Sequence, residues 1–228
     1  MRQTAAWLLI LGLSAAYAQD SPFGKKKTEE DPAPKKAEEP KKKKPDYSRV
    51  VAWFTWEWTF EDNLTAEELE GKKKVVEMWQ DQLWNVGEGN FALREVTIVD
   101  KSAKPGTMHT PKDLKDARML NKTVWARVIG GHMELPGNCD PYTWLHELGH
   151  LLFGCPEEYD SPGGCPCVEA TGAKGGKMQW CDAKSHSEEQ AKQHPPCWEG
   201  YILKKYPNAK HPGPGGERPD VKISIRDN

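Results

Sequence analysis

The sequence contains no apolar run that is long enough to cross a membrane as a helix. Its main apolar stretch lies near the N-terminus, from Ala5 to Leu13, whereas a spanning helix needs about 20 apolar residues. A strong excess of charge of one sign is also lacking, because the formal net charge is −2. A nearly neutral chain offers no electrostatic reason to expect a nucleic-acid partner. The sequence therefore predicts neither a transmembrane segment nor nucleic-acid binding.

The N-terminal part of the chain predicts export and a linker. Residues 1–18 have the order of a signal peptide: Arg2, the apolar stretch, and then Ala16-Tyr17-Ala18 as a cleavage site. We therefore expect a protein that is secreted, periplasmic or extracellular. Residues 19–46 are dominated by Lys, Glu and Pro, with too few apolar side chains to form a core. We interpret them as a disordered linker, and a weak contact with an anionic surface is the alternative.

The remaining residues suffice for one domain, and their patterns predict an α/β (α+β) fold. From Val50 to Phe60 every second residue is apolar, which predicts a strand with one buried face. Thr65-Ala66-Glu67-Glu68 is a capping box and predicts the start of a helix that continues to about Val86. Further strands are expected at residues 91–99 and 123–129.

This domain is expected to span residues 47–208, with a small twisted sheet and a disulfide-rich C-terminal part. Residues 209–228 are rich in Pro and Gly, which predicts a loose tail that contains a short edge strand at 221–225. We expect the protein to be a monomer.

One motif indicates chemistry: His146-Glu147-Leu148-Gly149-His150 has the form H-E-x-x-H. On a helix, residues four apart lie on the same face, so both imidazoles can bind one metal ion. The adjacent Glu147 carboxylate can then act as a general base on a water molecule, as in zinc metalloproteases. Asp140 before Pro141 predicts where this helix begins, and Gly154 predicts where it ends. The alternative is a solvated helix that binds no metal.

A third metal ligand is expected shortly after Gly154. Glu157, Glu158 and Asp160 each offer a carboxylate oxygen, which zinc accepts as a ligand. The spacing alone does not select one of the three.

A longer run around the motif resembles a known family. From His146 to Tyr159 the sequence is H-E-L-G-H-L-L-F-G-C-P-E-E-Y, similar to the metalloprotease domain of the calcium-activated chloride channel regulator (CLCA) family. The resemblance implies a zincin-like, metzincin-related fold with Zn²⁺ as cofactor. It implies Glu157 as the third ligand, at a position where the family usually has Asp. Glu158 is then expected to lie around the site or at the surface. Tyr159 is expected to be a packing group, and a hydrogen-bond donor in the transition state is the alternative.

The resemblance continues downstream, which adds one candidate site residue. The segment from Met178 to His186, followed by Cys197, is similar to a family segment that contains Cys, a nearby His, and a second Cys with Trp. His186 is therefore a candidate for a catalytic or substrate-binding role.

Six cysteines in a chain predicted to be exported indicate disulfide bonds. Cys139 and Cys155 bracket the motif helix, so their Cα atoms lie too far apart for a bond. Cys165 and Cys167 are too close in sequence to pair comfortably. The complete set is Cys139, Cys155, Cys165, Cys167, Cys181 and Cys197.

The family resemblance favours a bond between Cys181 and Cys197. The first two cysteines of the chain would then pair with Cys165 and Cys167, in either order. The alternative to this scheme is a structural zinc ion that is bound by Cys155, Cys165, Cys167 and Cys181.

Together these patterns predict a secreted zinc metallopeptidase that hydrolyses protein or peptide substrates. His146, His150 and Glu157 would bind the ion, and Glu147 would be the general base. The strand at 123–129 would lie along the cleft and pair with an extended peptide. The alternative is a secreted or wall-associated binding module with a structural zinc, although such sites normally have four protein ligands.

Overall fold

The computed structural model describes residues 46–158, 165, 167–170, 178–186, 188–213 and 215–228. The predicted signal peptide and nearly all of the predicted linker lie outside the described residues. Within the described part of the chain, no helix combines the length and the apolar character needed to cross a bilayer.

A six-stranded, mostly parallel sheet organises the domain. In chain order its strands are β1 (Ala52–Phe60), β2 (Phe91–Val99), β3 (Met108–Thr110), β4 (Arg127–Ile129), β5 (His132–Glu134) and β6 (Lys222–Arg226). Their spatial order is β4-β5-β3-β1-β2-β6. Among the described strand pairs, β4–β5 alone is antiparallel. The fold class is therefore mixed α/β, as predicted.

The helices are α1 (Ala66–Val86), α2 (Pro141–Leu148), α3 (Glu188–Gln193) and α4 (Leu203–Lys205). Helix α1 begins at the predicted capping box: the Glu68 N–H donates to Thr65 Oγ1, and the Thr65 N–H donates to the Glu68 carboxylate. These bonds satisfy donors that have no partner within a helix. Helix α1 packs against β2 and α2, with Val76 and Leu83 fully buried.

Tryptophan side chains fill the space between the sheet and the helices. Trp58 of β1 lies with its ring centroid 4.6 Å from that of Trp79 in α1, and Trp79 stacks on Trp144 of α2 at 5.1 Å. All three are fully buried, and truncation of such a side chain typically costs about 3–5 kcal/mol. Core packing thereby holds α2, which carries the motif, firmly over the sheet.

The strand predicted at 123–129 is shorter in the structure, where β4 covers only Arg127–Ile129. The cause is Asn121, whose Oδ1 accepts hydrogen bonds from the N–H groups of Thr123 and Val124 at 2.9 and 2.8 Å. Such an Asx turn keeps both donors out of the sheet. Two three-residue strands that the sequence patterns did not predict, β3 and β5, lie between β1 and β4 in the sheet.

The C-terminal segment, predicted to be a loose tail, is part of the sheet. Strand β6 pairs in parallel with β2 over five residue pairs, close to the edge strand predicted at 221–225. Gln80 and Trp84 of α1 donate hydrogen bonds to the carbonyls of Pro219 and Gly216. The domain therefore includes these residues and does not end at residue 208.

Candidate metal centre

The motif lies on α2 and on the turn that follows it. Asp140 Oδ1 accepts hydrogen bonds from the N–H groups of Tyr142 and Thr143 at 3.0 and 3.1 Å, and Pro141 is the first helical residue. The helix continues as a π-helical turn, Gly149–Phe153, and ends at Gly154, whose φ is 72°. The predicted start and end are thus confirmed. Single π-helical turns within helices are frequent at functional sites.

Three donor atoms converge beside this helix. His146 Nε2 lies 3.1 Å from His150 Nε2, and Glu157 lies 3.3 Å from each of them, with Oε2 toward His146 and Oε1 toward His150. In a tetrahedral zinc site with bonds of about 2.0–2.1 Å, two ligand atoms are about 3.3–3.4 Å apart. The three distances are therefore close to the spacing of ligand atoms in such a site, although the two Glu157 distances involve different oxygens of the carboxylate. The residues present fit a metal ion bound by two imidazoles and one carboxylate, and we call His146, His150 and Glu157 the histidine site.

Backbone carbonyls orient both imidazole rings. The Nδ1 atoms of His146 and His150 lie 2.9 and 2.7 Å from the carbonyl oxygens of Val168 and Cys155. Donation of the Nδ1 proton to a carbonyl leaves the Nε2 lone pair available to a metal. The segment that supplies Glu157 thus also supplies, at Cys155, a carbonyl that fixes His150.

Charges in the site favour the ionised carboxylate. Burial acts to raise the pKa of Glu157, but its contacts with His146 and His150 outweigh burial and lower that pKa to about 2. Burial acts to lower the pKa of His150, but Glu157 and the Cys155 carbonyl outweigh it and raise that pKa. A carboxylate that is ionised at neutral pH is in the form that binds a metal.

Glu147 lies next to the three donors without joining them. Its side chain is buried, and burial raises its pKa, an effect that His146, His150 and a hydrogen bond from the Val128 backbone partly offset. A carboxylate with a raised pKa is suited to accept and return a proton near neutral pH. The hydrogen bond from Val128 also places Glu147 beside β4, at the edge of the sheet.

Glu169 is a buried residue of the site that the sequence analysis missed. Its Oε1 accepts a hydrogen bond from Trp180 Nε1, and its Oε2 lies 3.7 Å from Nδ1 of both His146 and His150. Burial raises the pKa of Glu169 well above its ordinary value. A Cβ at Gly149 would lie 1.9 Å from Oε1, so this glycine within the motif makes room for the carboxyl group. In the sequence, Gly149 was the available indication that another side chain packs closely against the motif helix.

The other predicted site residues lie elsewhere or are not described. Glu158 is buried and points away from the two motif histidines into a separate group with Cys165, Cys167 and Cys181. We call these four residues the thiol cluster. His186 contacts the same cluster, with Nε2 2.8 Å from Cys181 Sγ, so the structure does not bring it to His146 and His150. Tyr159 and Asp160 lie outside the described residues.

The structure contains none of the predicted disulfide bonds, because all six cysteines are buried free thiols. Cys155 and Cys197 lie together with Glu169, next to the thiol cluster. Cys139, at the start of the motif helix, directs its sulfur toward the Asp140 carbonyl at 3.6 Å. Cys139 therefore forms no disulfide bond with Cys165 or Cys167, since the sulfurs of those two residues face Glu158.

The described residues thus contain buried His, Cys and Glu groups that can hold metal ions. Comparison of the chain with protein-family models, with curated proteins and with solved structures finds no match.

Proposed function

We propose that the protein is an exported zinc metallopeptidase with a zincin-like fold, similar to the metalloprotease domain of the CLCA family. The observation that carries the proposal is the close approach of His146, His150 and Glu157, at 3.1–3.3 Å between potential ligand atoms, with Glu147 buried beside them. Two imidazoles and one carboxylate are the protein ligands of a common type of catalytic zinc site. Export rests on the signal-peptide pattern of residues 1–18.

The chain's own residues have distinct tasks in peptide hydrolysis. His146, His150 and Glu157 hold the ion, and the carbonyls of Val168 and Cys155 keep both rings oriented. Bound zinc supplies a Lewis acid that makes water a nucleophile near neutral pH. The Glu147 carboxylate accepts a proton from the attacking water and passes it to the leaving amine nitrogen. Its raised pKa suits both transfers.

Strand β4 supports a peptide as the substrate. It lies at the edge of the sheet, and its Val128 backbone contacts the Glu147 carboxylate. An extended peptide can add to such an edge through main-chain hydrogen bonds. Trp125 and Ile129, next to and within β4, are 51% and 45% exposed, and they offer apolar contacts for side chains of a bound peptide.

A purely structural role for the zinc is less well supported. A structural site normally has four protein ligands, whereas the group around the motif contains three in the described part of the chain. A structural site also has no use for a buried carboxylate such as Glu147, whose desolvation opposes folding. The binding-module alternative remains an outcome of the experiment below.

The test compares zinc content and peptide hydrolysis in the protein without its signal peptide. Wild-type protein should bind zinc at the histidine site and cleave members of a mixed peptide library, detected by mass spectrometry of new termini. Glu147→Gln should keep that zinc and lose about 10²–10⁴-fold in rate, the usual contribution of general acid–base catalysis. Glu77→Gln, at an exposed position of α1, is the matched control and should behave like wild type.

Two outcomes would contradict the proposal. Undiminished hydrolysis by Glu147→Gln would remove the assigned general base. Stable zinc binding without any cleavage in the wild-type protein would instead favour the binding module.

A further inference from the structure

The thiol cluster has the geometry of a metal site. Glu158 Oε2 lies 3.2 Å from Cys167 Sγ and 3.9 Å from Cys181 Sγ, and one ligand atom from each of the four residues lies within 4.8 Å of all the others. For zinc with bonds of about 2.3 Å to sulfur and about 2.1 Å to oxygen, a tetrahedral sulfur–oxygen distance is about 3.6 Å. The spacing therefore suits one small cation at the centre.

Burial makes this group unfavourable without a cation. Each of the four side chains is at most 3% exposed, and thiols are only weak hydrogen-bond donors for a carboxylate. The ion-pair contacts of Glu158 among the described residues are to His186 and His194, at 3.7 and 3.6 Å, and not to Lys or Arg. A buried carboxylate is normally paired or bound to a metal, because its desolvation is costly.

The arrangement of the sulfurs favours a cation over disulfide bonds. Cys181 is close enough to exchange hydrogen bonds with three other thiols, those of Cys165, Cys167 and Cys197. A disulfide bond can join Cys181 to only one of them, and it would supply no positive charge to the buried Glu158 carboxylate. A metal ion binds several thiolates and the carboxylate together.

We propose that Cys165, Cys167, Cys181 and Glu158 bind a second, structural zinc ion. Three soft thiolates in a compact tetrahedral group select zinc over magnesium or calcium, which prefer oxygen ligands. This set of ligands differs in one residue from the set suggested by the sequence, because Glu158 takes the place of Cys155. This proposal does not depend on peptidase activity.

The second ion would also hold the histidine site together. Glu158 follows Glu157, a ligand of the first site, and Cys167 precedes Val168, whose carbonyl orients His146. A single cation across Glu158 and Cys167 therefore fixes both segments that shape the first site. Loss of groups that orient ligands typically weakens metal binding about 10–100-fold, so Cys167→Ser should weaken zinc binding at His146 and His150 by a similar factor.

The experiment measures bound zinc by elemental mass spectrometry and replaces zinc with cobalt in parallel. Wild-type protein should hold two zinc ions, and the double variant His146→Ala/His150→Ala should keep one. That retained ion, when exchanged for cobalt, should give a sulfur-to-cobalt charge-transfer band, which a site of imidazole and carboxylate alone does not give. The double variant Cys167→Ser/Cys181→Ser should lose the band, whereas Cys139→Ser, a buried cysteine outside the cluster, should keep it.

Thiol counting on wild-type protein provides a test that does not depend on variant folding. In denaturant with a chelator and no reductant, at least the three cluster thiols and Cys139 should react. Two or fewer reactive thiols would show that the cluster is oxidised to disulfides and would overturn the proposal. A wild-type protein that takes up cobalt without the sulfur band would overturn it as well. Failure of the histidine site alone would instead leave the band intact and remove only the proposed peptidase function.

Discussion

At the scale of single residues, Glu157 completes the group of potential metal ligands beside the motif helix. Its two oxygens reach both imidazoles at 3.3 Å, and no other carboxylate in the described part of the chain joins them in that group. The family resemblance implied this residue, whereas spacing alone left Glu158 and Asp160 open. The structure explains why Glu158 is not equivalent, since it is directed into the thiol cluster.

Glu157→Ala should therefore weaken zinc binding at the histidine site by at least about 100-fold, because loss of a ligand exceeds the loss of an orienting partner. Competition with a chromophoric chelator measures this affinity. Glu157→Asp, which keeps the carboxylate but shortens its side chain, is the matched control and should retain much more of it. Unchanged affinity in Glu157→Ala would transfer the role of third ligand to another residue.

At the scale of the element, the packing of the motif helix depends on Gly149, the residue that follows α2. The local helix sequence gives no reason for a glycine at this position. A Cβ at Gly149 would lie 1.9 Å from Glu169 Oε1 and 3.2 Å from Trp180 Nε1. Glu169 is completely buried, so its carboxyl group has little space into which it can move. The glycine thus allows the motif helix to pack directly on a buried acid.

Gly149→Ala should lower the free energy of unfolding by about 1–3 kcal/mol, the usual cost of overpacking. The urea midpoint measures the change. Gly71→Ala, where a Cβ meets nothing within 4 Å, should instead stabilise by about 0.5–1 kcal/mol, because alanine is the better helix former. Equal effects of the two substitutions would contradict the close approach of Glu169.

The N-terminus of α1 predicts a specific dependence of stability on pH. A hydrogen bond with Lys115, together with those at Thr65, lowers the pKa of Glu68 from 4.5 to about 2. Between these pH values the unfolded chain binds more protons than the folded one. The stabilisation from Glu68 is therefore complete above about pH 4.5 and is lost as the pH falls toward 2.

Glu68→Gln should make the acid side of the stability curve shallower between about pH 5 and pH 2. Urea midpoints measured across this range test the effect. Glu67→Gln, in the same turn but not a member of the capping box, should keep the wild-type slope. An unchanged slope in Glu68→Gln would show that the ionised capping box does not contribute.

At the scale of the whole molecule, the two ends of the described chain are joined by the sheet. Strand β6 covers the edge of β2, whose side chains Val96 and Ile98 are fully buried. Deletion of residues 221–228 would expose that edge, and open edges promote both destabilisation and aggregation.

This deletion should lower the thermal midpoint by several degrees, since a loss of about 1 kcal/mol shifts it by about 2–4 °C in a domain of this size. Thermal unfolding followed by circular dichroism, with light scattering for aggregation, measures both effects. Removal of residues 227–228 alone is the control, because it keeps β6 and removes the exposed Lys101–Asp227 ion pair, which contributes little. Equal midpoints for the two deletions would mean that β6 does not stabilise the domain.

Local sequence rules determined the elements whose causes lie within a few residues. The alternation of β1, the capping box at Thr65 and the helix start at Asp140 each follow from side chains that contact their own backbone or a single buried face. Gly154 is also locally determined, because its left-handed backbone conformation follows from the turn that ends the helix. The H-E-x-x-H spacing likewise brings His146 and His150 together by helix geometry alone.

Tertiary structure alone decided which distant residues meet at those elements. Strands β3 and β5 are three residues long and have no periodic pattern, so only pairing with neighbours defines them. Glu169 lies under the two histidines, and the adjacent Glu157 and Glu158 enter different groups. Tertiary structure likewise brings five of the six cysteines together and leaves Cys139 apart from them. These arrangements depend on packing between segments far apart in the chain, which local propensity and spacing do not determine.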